Sequence, residues 1–219
     1  DGWENAGWNQ GKFQGGMNSA HLYIDNATSL KGLFGAGFRN LQFIDLGNLD
    51  GSNVTNVDGM FYGIHDDTKV IAHDFELSEN VSIENMFGDG INHVVNVKHD
   101  GKDGNVRWWI STEGRLYVIG TCGEEQAEGW SNAGWFAYCE EILAAWLKVD
   151  NATNFKNFFG NGTAGKACTN LEWVDFSEQY IGSVVDMSGM FDGCKSLMYM
   201  DFTKYGDCVA LRNVTNMNH

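Results

Sequence analysis

The sequence predicts an α/β solenoid, in which short strands and short helical turns stack in layers, because the chain repeats itself on two length scales. On the long scale, three segments of the first half return in the same order in the second half, at offsets of 127, 125 and 130 residues. These segments begin at Asn5, Asp25 and Gly59. On the short scale, the phenylalanines that close a common motif are separated by 27 and 26 residues, at Phe34, Phe61 and Phe87. Periods of this length are typical of proteins built from stacked units.

The short motif predicts a helical turn. It places apolar residues three apart and ends in an aromatic pair or in Met-Phe, as at Val54, Val57, Met60 and Phe61. The same form begins at Ala27, Ala152 and Val184, and a weaker version begins at Ile83. A spacing of three puts these side chains on one face of a short helix or 3₁₀ turn.

A second motif follows each turn and predicts a strand. Leu41-x-x-Ile44-Asp45-Leu46 has matching copies that begin at Leu171 and Leu197, and we interpret Val70-x-x-His73-Asp74-Phe75 as a degenerate copy. The apolar-polar-apolar ending is typical of a strand with alternate residues buried. A strand and a short helical turn every 20–29 residues or so is the layout of leucine-rich repeats, whose units bury their apolar faces only by stacking.

The two arrays are predicted to be tandem copies separated by a β-hairpin. Residues 106–110 and 114–120 indicate two strands joined by a turn at 111–114. The polar, glycine-rich run 98–105 places the boundary near residue 103, so we expect a first unit at 1–103 and a second at 104–219. Val214 begins another turn motif and no polar capping repeat follows it, so we expect a parent protein or a partner chain to continue the stack.

Composition excludes several classes of partner. The net charge of −15 argues against nucleic acid, which requires a basic surface. The chain has no apolar run of about 18 residues, so we expect no membrane insertion. A start at Asp1, without an initiator Met or a signal peptide, indicates a processed product or a piece of a longer protein.

Two segments carry a resemblance to a known family. Residues 53–61 (NVTNVDGMF) and 184–197 (VVDMSGMFDGCKSL) are similar to the "SxVTNMSxMF" and "MFxGCxSL" phrases of the BspA-like bacterial surface-protein leucine-rich repeats. Residues 108–120 resemble the strands that introduce such arrays. The resemblance implies an extracellular, cell-surface location and a role in adhesion, with no catalytic residues or cofactors to carry over. The first copy departs from the family pattern at Ile64, where Cys is usual, and at His73, in an apolar strand position.

A glycine-rich segment is the nearest approach to a cofactor motif. Residues 160–166 (GNGTAGK) are similar to phosphate-binding loops, but Ala167 stands where such a loop needs Ser or Thr, and a helical turn rather than a strand precedes it. A surface-loop insertion explains the segment, which is five residues longer than its counterpart in the first copy. No zinc-protease motif or serine-hydrolase set is recognisable, so we expect no catalytic residues, no cofactor and no enzymatic activity.

Four aspartates fill one predicted strand position and are candidate metal ligands in a chain for which we otherwise expect no metal site. They are Asp45, Asp74, Asp175 and Asp201. Stacked strands would bring them into an acidic column that binds Ca²⁺ or a basic partner. The alternative is a solvated face whose carboxylates accept hydrogen bonds from neighbouring residues, and no EF-hand loop supports calcium.

Cysteines and glycosylation sequons complete the candidate sites. Cys168 and Cys194 stand at equivalent positions of adjacent layers, either as a disulfide or metal pair or as a column of buried thiols. Six N-x-[ST] sequons would accept glycans in a secreted eukaryotic protein, or they are by-products of the turn motif. They lie at Asn26, Asn53, Asn80, Asn151, Asn161 and Asn213.

We therefore expect a non-enzymatic, extracellular repeat protein that acts in adhesion or protein–protein interaction at a cell surface. Its partner would be a protein or glycan on another cell or matrix, contacted through the broad strand face. One alternative is a structural subunit of an extracellular filament or surface layer, in which copies of the chain stack end to end. A second alternative is a carbohydrate-binding module.

Overall fold

The part of the chain that the computed structural model describes forms a β-solenoid of about seven turns with few helices. The described residues are 3, 6, 8, 17–35, 37–73, 75–88, 93–161, 166–177, 179–202 and 213–217. They fall into two compact units, unit 1 from Asp1 to Asn96 and unit 2 from Val97 to His219. The predicted solenoid architecture is therefore confirmed.

Unit 1 contains a four-stranded parallel sheet in the order β1-β2-β3-β4. Its strands are β1 (Ser19–Ile24), β2 (Phe43–Leu49), β3 (Lys69–Ile71) and β4 (Val94–Val95). The register aligns Ala20, Ile44 and Val70 in one row, and this row packs in the hydrophobic core of the unit. Consecutive strands are neighbours in space, as stacking of successive layers requires.

Unit 2 contains a six-stranded sheet in the order β12-β11-β8-β7-β6-β5, together with the two-stranded pair β9-β10. Its strands are β5 (Val97–Asp103), β6 (Val106–Ser111), β7 (Arg115–Thr121), β8 (Ala144–Asp150), β9 (Gly160–Asn161), β10 (Lys166–Ala167), β11 (Trp173–Asp175) and β12 (Tyr199–Asp201). β5, β6 and β7 pair antiparallel, whereas β7, β8, β11 and β12 pair parallel. An antiparallel meander thus leads directly into the stacked layers.

The predicted helical turns are single hydrogen-bonded turns, which corrects the α/β class. Leu33, Met60, Phe158 and Met190 each donate a backbone N–H to the carbonyl three residues earlier, and the helix goes no further. The helical segments Glu124–Gln126 and Gly134–Glu141 are both 3₁₀. Helix extension fails because the next backbone donor turns to a neighbouring layer, as when Phe34 donates to Met60 O at 2.8 Å.

One position of the turn motif requires a left-handed backbone. Gly32, Gly59, Asn157 and Gly189 stand immediately before the closing residue pair, and their φ angles are 62°, 58°, 57° and 63°. Glycine has no Cβ to clash in this conformation, and asparagine tolerates it better than most residues. The backbone therefore explains why the sequence motif reads Gly-Met-Phe in two of its copies.

Backbone bonds between layers hold the stack in register. Thr55 donates both its N–H and its Oγ1 hydroxyl to Thr28 O, at 2.9 and 3.0 Å. Thr215 repeats this pair of bonds to Val185 O, at 2.9 and 3.2 Å. The turn motif that begins at Val214 therefore continues the stack, as the sequence predicts.

Each unit has its own hydrophobic core, and each core is accompanied by its own stack of phenylalanine rings. In unit 1, the rings of Phe34 and Phe61 have centroids 6.0 Å apart, and those of Phe61 and Phe87 are 5.1 Å apart. In unit 2, Phe159 and Phe191 stack at 5.7 Å. The closing residue of the motif thus forms a continuous aromatic column within each unit.

Two tryptophans anchor the first layer of each unit through the same set of bonds. In unit 1, Trp3 Nε1 donates to Ser29 O at 2.7 Å and Trp8 Nε1 donates to Leu33 O at 2.9 Å. In unit 2, Trp130 Nε1 donates to Asn154 O and Trp135 Nε1 donates to Phe158 O, both at 3.1 Å. Donors and acceptors occupy corresponding positions of the long sequence repeat.

Two details of the predicted connections need correction. The predicted hairpin strands match β6 and β7, but β5 adds a third antiparallel strand, so the boundary between units lies after Asn96 and residue 103 is the end of β5. The degenerate strand motif is out of register by three residues, because Val70 pairs beside Ile44 and not beside Leu41. His73 consequently follows β3 and is not a strand residue.

Candidate interaction surface

The outward face of the sheet in unit 2 is defined by strict alternation along its strands. In β8, Ala145, Leu147 and Val149 belong to the hydrophobic core. The intervening Trp146 and Lys148 lie outside that core and face away from it. The same alternation applies to the neighbouring strands, because the parallel register is continuous from β7 to β12.

Large aromatic residues line this outward face. The register places Trp109, Tyr117 and Trp146 in one row across β6, β7 and β8. Trp173 and Tyr199 pair beside each other in the next row, on β11 and β12. We call these five residues the aromatic face.

Exposure increases along the aromatic face towards β12. Trp109 is fully buried and Tyr117 is 5% exposed, although neither belongs to the core cluster. Trp146 and Trp173 are half-buried, and Tyr199 is 54% exposed. Half-buried indoles on a flat sheet offer a large apolar contact area at low cost in side-chain entropy.

Charged residues border the aromatic face. The Arg107 guanidinium lies 5.2 Å from the centroid of the Trp109 ring, which is a cation–π contact. Asp175 pairs beside Trp146 on one side and beside Asp201 on the other. The arrangement combines stacking surfaces with hydrogen-bond acceptors, which suits recognition and provides no nucleophile–base pair.

The predicted column of four aspartates does not form as one column. Asp175 and Asp201 are register partners in unit 2, whereas Asp45 lies in unit 1, beside His21 and Ile71. Asp74 lies outside the described residues. Only Asp74 belongs to the degenerate motif at Val70, whose predicted register is wrong by three residues.

Local hydrogen bonds account for the carboxylates that are described. Asp45 is fully buried, and it accepts bonds from Gly47 N–H at 2.9 Å and from the His21 ring at 3.1 Å. Asp175 likewise accepts the Ser177 N–H at 2.7 Å. Within the described ranges, no group of three or more His, Cys, Asp or Glu side chains could hold a metal ion.

The predicted sequons lie mostly at the surface. Asn26, Asn53, Asn80, Asn151 and Asn213 are exposed, and the side chain of Asn161 lies outside the described residues. Asn26 and Asn151 occupy corresponding turns and share a left-handed backbone, with φ of 58° and 57°. These two asparagines therefore have a conformational role in the turn whether or not they carry glycans.

The cysteines pair differently from the sequence hypotheses. Cys168 forms a disulfide with Cys139, whose Cα is 4.4 Å away, and Cys194 is a thiol. Burial raises the pKa of both Cys122 and Cys194 to about 11. Cys168 and Cys194 do lie on adjacent layers, since Ser196 N–H donates to Thr169 O at 3.2 Å.

The glycine-rich segment has no phosphate-binding architecture. Its first and last residues form β9 and β10, which pair antiparallel as Lys166 with Asn161 and Ala167 with Gly160. Residues 162–165 lie outside the described residues. Since Lys166 begins a strand, the helix N-terminus that a phosphate-binding loop requires does not follow it.

The 3₁₀ segment Gly134–Glu141 carries several polar contacts to β5. Glu141 Oε2 accepts bonds from Lys98 Nζ at 2.8 Å and from His99 Nε2 at 3.0 Å, and these contacts lower the pKa of that carboxyl. The His99 and Tyr138 rings stack at 3.8 Å. Residues 136–141 also line a cleft of about 260 Å³ with Lys166 and Ala167.

The aromatic face is the candidate surface that motif analysis misses. Trp109, Trp146 and Trp173 each sit in a short alternating run, but the sequence does not reveal which residues become neighbours across strands. The signal that could have found them is the position of each tryptophan in its strand, since it alternates with the core residues on either side and therefore points to the opposite face.

No described helix has the length and apolar character needed to cross a bilayer.

Comparison with known proteins gives one family. The family described as "Mycoplasma protein of unknown function, DUF285" matches residues 22–100, which extend from β1 into β5. Neither the curated proteins nor the solved structures contain a significant match to the chain. Residues 22–100 of the chain are thus similar to this family.

Proposed function

We propose that this chain is a non-enzymatic recognition module of a cell-surface protein, acting in adhesion through its aromatic face. The partner is a protein or a glycan on another cell or in a matrix. The observation that supports the proposal best is the placement of Trp146, Trp173 and Tyr199 on an outward sheet face, in an otherwise strongly acidic chain of net charge −15. Aromatic residues in partly desolvated positions dominate the energetics of protein interfaces and also stack on sugar rings.

We further propose that the two units are tandem copies of one leucine-rich-repeat-like module, related to the BspA-like surface proteins. The matching bonds of Trp3 and Trp130, and those of Trp8 and Trp135, support a common origin. The "MFxGCxSL" stretch at residues 190–197 supports the relation to that family. An extracellular location follows from this relation and forms part of the proposal.

The proposal is tested by binding to arrays of matrix proteins and of neutral and sulfated glycans. Trp146→Ala and Trp173→Ala should each reduce binding by about fivefold to 150-fold, since stacking contributes about 1–3 kcal/mol per aromatic contact. Tyr62→Ala is the matched control, because Tyr62 is 65% exposed but belongs to unit 1 and lies outside the aromatic face. Silence on both arrays, or equal losses in all three variants, would remove the aromatic face as the recognition surface.

The glycan array also tests the carbohydrate-binding alternative. Retention of glycans alone, with loss in both tryptophan variants, would make the chain a carbohydrate-binding module. Retention of matrix proteins alone would favour adhesion through protein contacts.

A filament or surface-layer subunit is the second candidate, and the last layer of unit 2 favours it. Met217 is 61% exposed at the end of the described stack, and Met198 is 79% exposed next to β12. A second copy could bury these apolar side chains by adding another layer. Sedimentation over a range of concentrations decides the matter. Self-association that Met217→Lys abolishes supports stacking, and a strictly monomeric chain excludes it.

A further inference from the structure

Three cysteines of unit 2 come together although only two of them are bonded. The disulfide joins Cys139, in the 3₁₀ segment Gly134–Glu141, to Cys168, which lies three residues before the strand motif that begins at Leu171. Both of these residues are buried, with exposures of 5% and 0%. Cys194 is the corresponding residue of the next layer, 26 residues further along the chain.

Contacts on either side of Cys194 place it directly against Cys168. A Cβ added at Gly193 would lie 2.7 Å from Ala167 Cβ, and Ser196 N–H donates to Thr169 O. The two cysteines also share an acceptor, since Phe159 O receives the Cys168 N–H at 2.9 Å and the Cys194 thiol at 3.6 Å. The Cys168 backbone N–H in turn hydrogen-bonds the Cys194 sulfur.

We propose that Cys194 exchanges with the Cys139–Cys168 disulfide, which gives the chain a second covalent state containing a Cys168–Cys194 bond. Cys168 is bonded to the 3₁₀ segment through Cys139 in the first state and to the following layer through Cys194 in the second, and never to both at once. The inference is independent of the proposed function, because it depends only on contacts within unit 2.

The step is an internal thiol–disulfide exchange and needs no oxidant or reductant. The Cys194 thiolate attacks Cys168 Sγ, a new Cys168–Cys194 bond forms, and the old bond breaks with its electron pair leaving on Cys139 Sγ. The proton lost by Cys194 is taken up by Cys139. Attack requires the thiolate, so a thiol with a raised pKa of about 11 exchanges slowly near neutral pH.

The two states differ in how the 3₁₀ segment is held. Before exchange it is tied covalently to Cys168. After exchange it is held by Gly134 N–H, which donates to the Asp103 carboxylate at 3.0 and 3.2 Å, and by the contacts of Tyr138 and Glu141 with His99. We therefore expect faster amide hydrogen exchange in residues 134–141 in the second state.

Peptide mapping distinguishes the two states by mass. Trypsin releases residues 116–148, which hold Cys122 and Cys139, and residues 167–195, which hold Cys168 and Cys194. The Cys139–Cys168 bond joins these two peptides, whereas the Cys168–Cys194 bond lies within the second. The chain is tested with Cys208→Ser, which removes the one cysteine that lies outside the described residues.

The oxidised chain is incubated at about pH 7 and about pH 9, alkylated with N-ethylmaleimide and digested. The internal bond should appear roughly 100-fold faster at the higher pH, because the thiolate fraction rises tenfold per pH unit below the pKa. Cys194→Ser should show only the joined peptides. Cys122→Ser is the matched control, since Cys122 is a thiol with the same raised pKa of about 11, and it should exchange like the parent chain.

The inference is overturned by two results. One is a parent chain that yields only the joined peptides at both pH values. The other is a Cys139→Ser chain that keeps Cys168 and Cys194 reduced in a glutathione redox buffer, although its circular dichroism matches that of the parent. If Cys139→Ser fails to fold, the rate measurement on the parent chain decides alone.

Discussion

The two units fix their first layer with the same tryptophan bonds but bury those tryptophans to different extents. Trp3 and Trp8 are half-buried in unit 1, whereas Trp130 and Trp135 are 2% and 0% exposed in unit 2. The ring pairs are nonetheless equally close, at 5.4 and 5.5 Å. The hydrogen bonds are therefore common to both units, and the packing around them differs.

The additional packing in unit 2 comes from Trp108 and Phe158. Trp108, on the antiparallel strand β6, lies against Trp135 with ring centroids 6.4 Å apart, and Phe158 contacts Trp135 at 4.8 Å. The counterpart of Phe158 in unit 1 is Leu33. The comparison teaches that the turn motif specifies the layer, and that Trp108 and Phe158 bury the tryptophans of the first layer more completely in unit 2.

The largest difference should appear when the second tryptophan of each pair is removed. Trp135→Ala should cost about 3–5 kcal/mol of unfolding free energy, because a fully buried indole is lost. Trp8→Ala removes the equivalent hydrogen bond from a half-buried ring and should cost roughly half as much. Urea unfolding followed by circular dichroism measures both. Equal losses would show that the hydrogen bond, not burial, dominates.

The glycines before the closing pair provide a second comparison. Gly59→Ala forces a residue with a Cβ to φ of 58°, which should cost about 1–2 kcal/mol. Gly189→Ala adds an overlap between the new Cβ and Asn157 Oδ1, so we expect about 2–3 kcal/mol. Thermal unfolding compares the variants. A smaller loss for Gly189→Ala would mean that Asn157 moves aside freely.

A third comparison concerns Gln179, whose side chain in unit 2 makes backbone hydrogen bonds of the kind that strand pairing makes in unit 1. In unit 1 the β1–β2 ladder continues to Ile24 and Leu49. In unit 2 the β8–β11 ladder ends earlier, and the buried Gln179 side chain bonds Val149 N–H at 2.7 Å and Val149 O at 2.8 Å. Gln179→Leu should cost about 1–3 kcal/mol, because these backbone groups lose their partner.

The Gln179 prediction has a distinct readout in hydrogen exchange. The Val149 amide should lose protection in the leucine variant, while amides in β2 of unit 1 should keep theirs. Unchanged protection at Val149 would show that another group, or water, takes over the bond.

Asp45 and Asp175 each accept the N–H two residues later, but the two carboxylates should differ in their importance for stability. Asp45→Ala removes a buried carboxylate with two partners and should cost about 1–3 kcal/mol. Asp175→Ala removes a half-buried carboxylate with one such bond to Ser177 and should cost about 0.5–1.5 kcal/mol. Denaturant midpoints test the order. A reversed order would contradict the buried position of Asp45.

The smallest effect concerns pH and belongs to the antiparallel meander of unit 2, whose strand β5 ends at Asp103. Burial raises the pKa of Asp103, although the Gly134 N–H and the Trp108 indole act in the opposite direction. The folded chain therefore holds this proton more tightly than the unfolded chain does. The resulting stabilisation is present in acid and is lost as the pH rises through the raised folded pKa. Asp103→Asn should flatten that part of the stability profile, which begins near the ordinary pKa of an aspartate and extends above it, as measured by urea unfolding at each pH.

The sequence predicts well which residues of each layer face the core, because the repeated motifs place apolar residues at those positions. The strand motifs at Leu41, Leu171 and Leu197 lead directly into β2, β11 and β12. β1 and β8 lack that motif and are missed. β5, with the polar sequence VKHDGKD, is a strand because β6 pairs with it, so no local pattern could identify it.

The candidate sites were harder to predict because they depend on neighbours that are distant in sequence. The turns stop short of helices because their N–H groups bond to the next layer, as Phe159 does to Met190 O at 2.9 Å. Cys139 lies outside the repeat motif, and only folding brings it to Cys168. The aromatic face likewise requires the strand register, which aligns Trp109 with Tyr117 and Trp146.

The bonds between layers also determine how the molecule would respond to a pulling force. A chain stretched from its ends loads these bonds one layer at a time, so it should unravel in steps of about 26 residues, each releasing roughly 90 Å of contour length. The Cys139–Cys168 bond closes a loop with a sequence separation of 29, so the residues of about one such step could not extend under force. An exchange to Cys194 would leave the withheld length nearly constant and move it one layer along the stack.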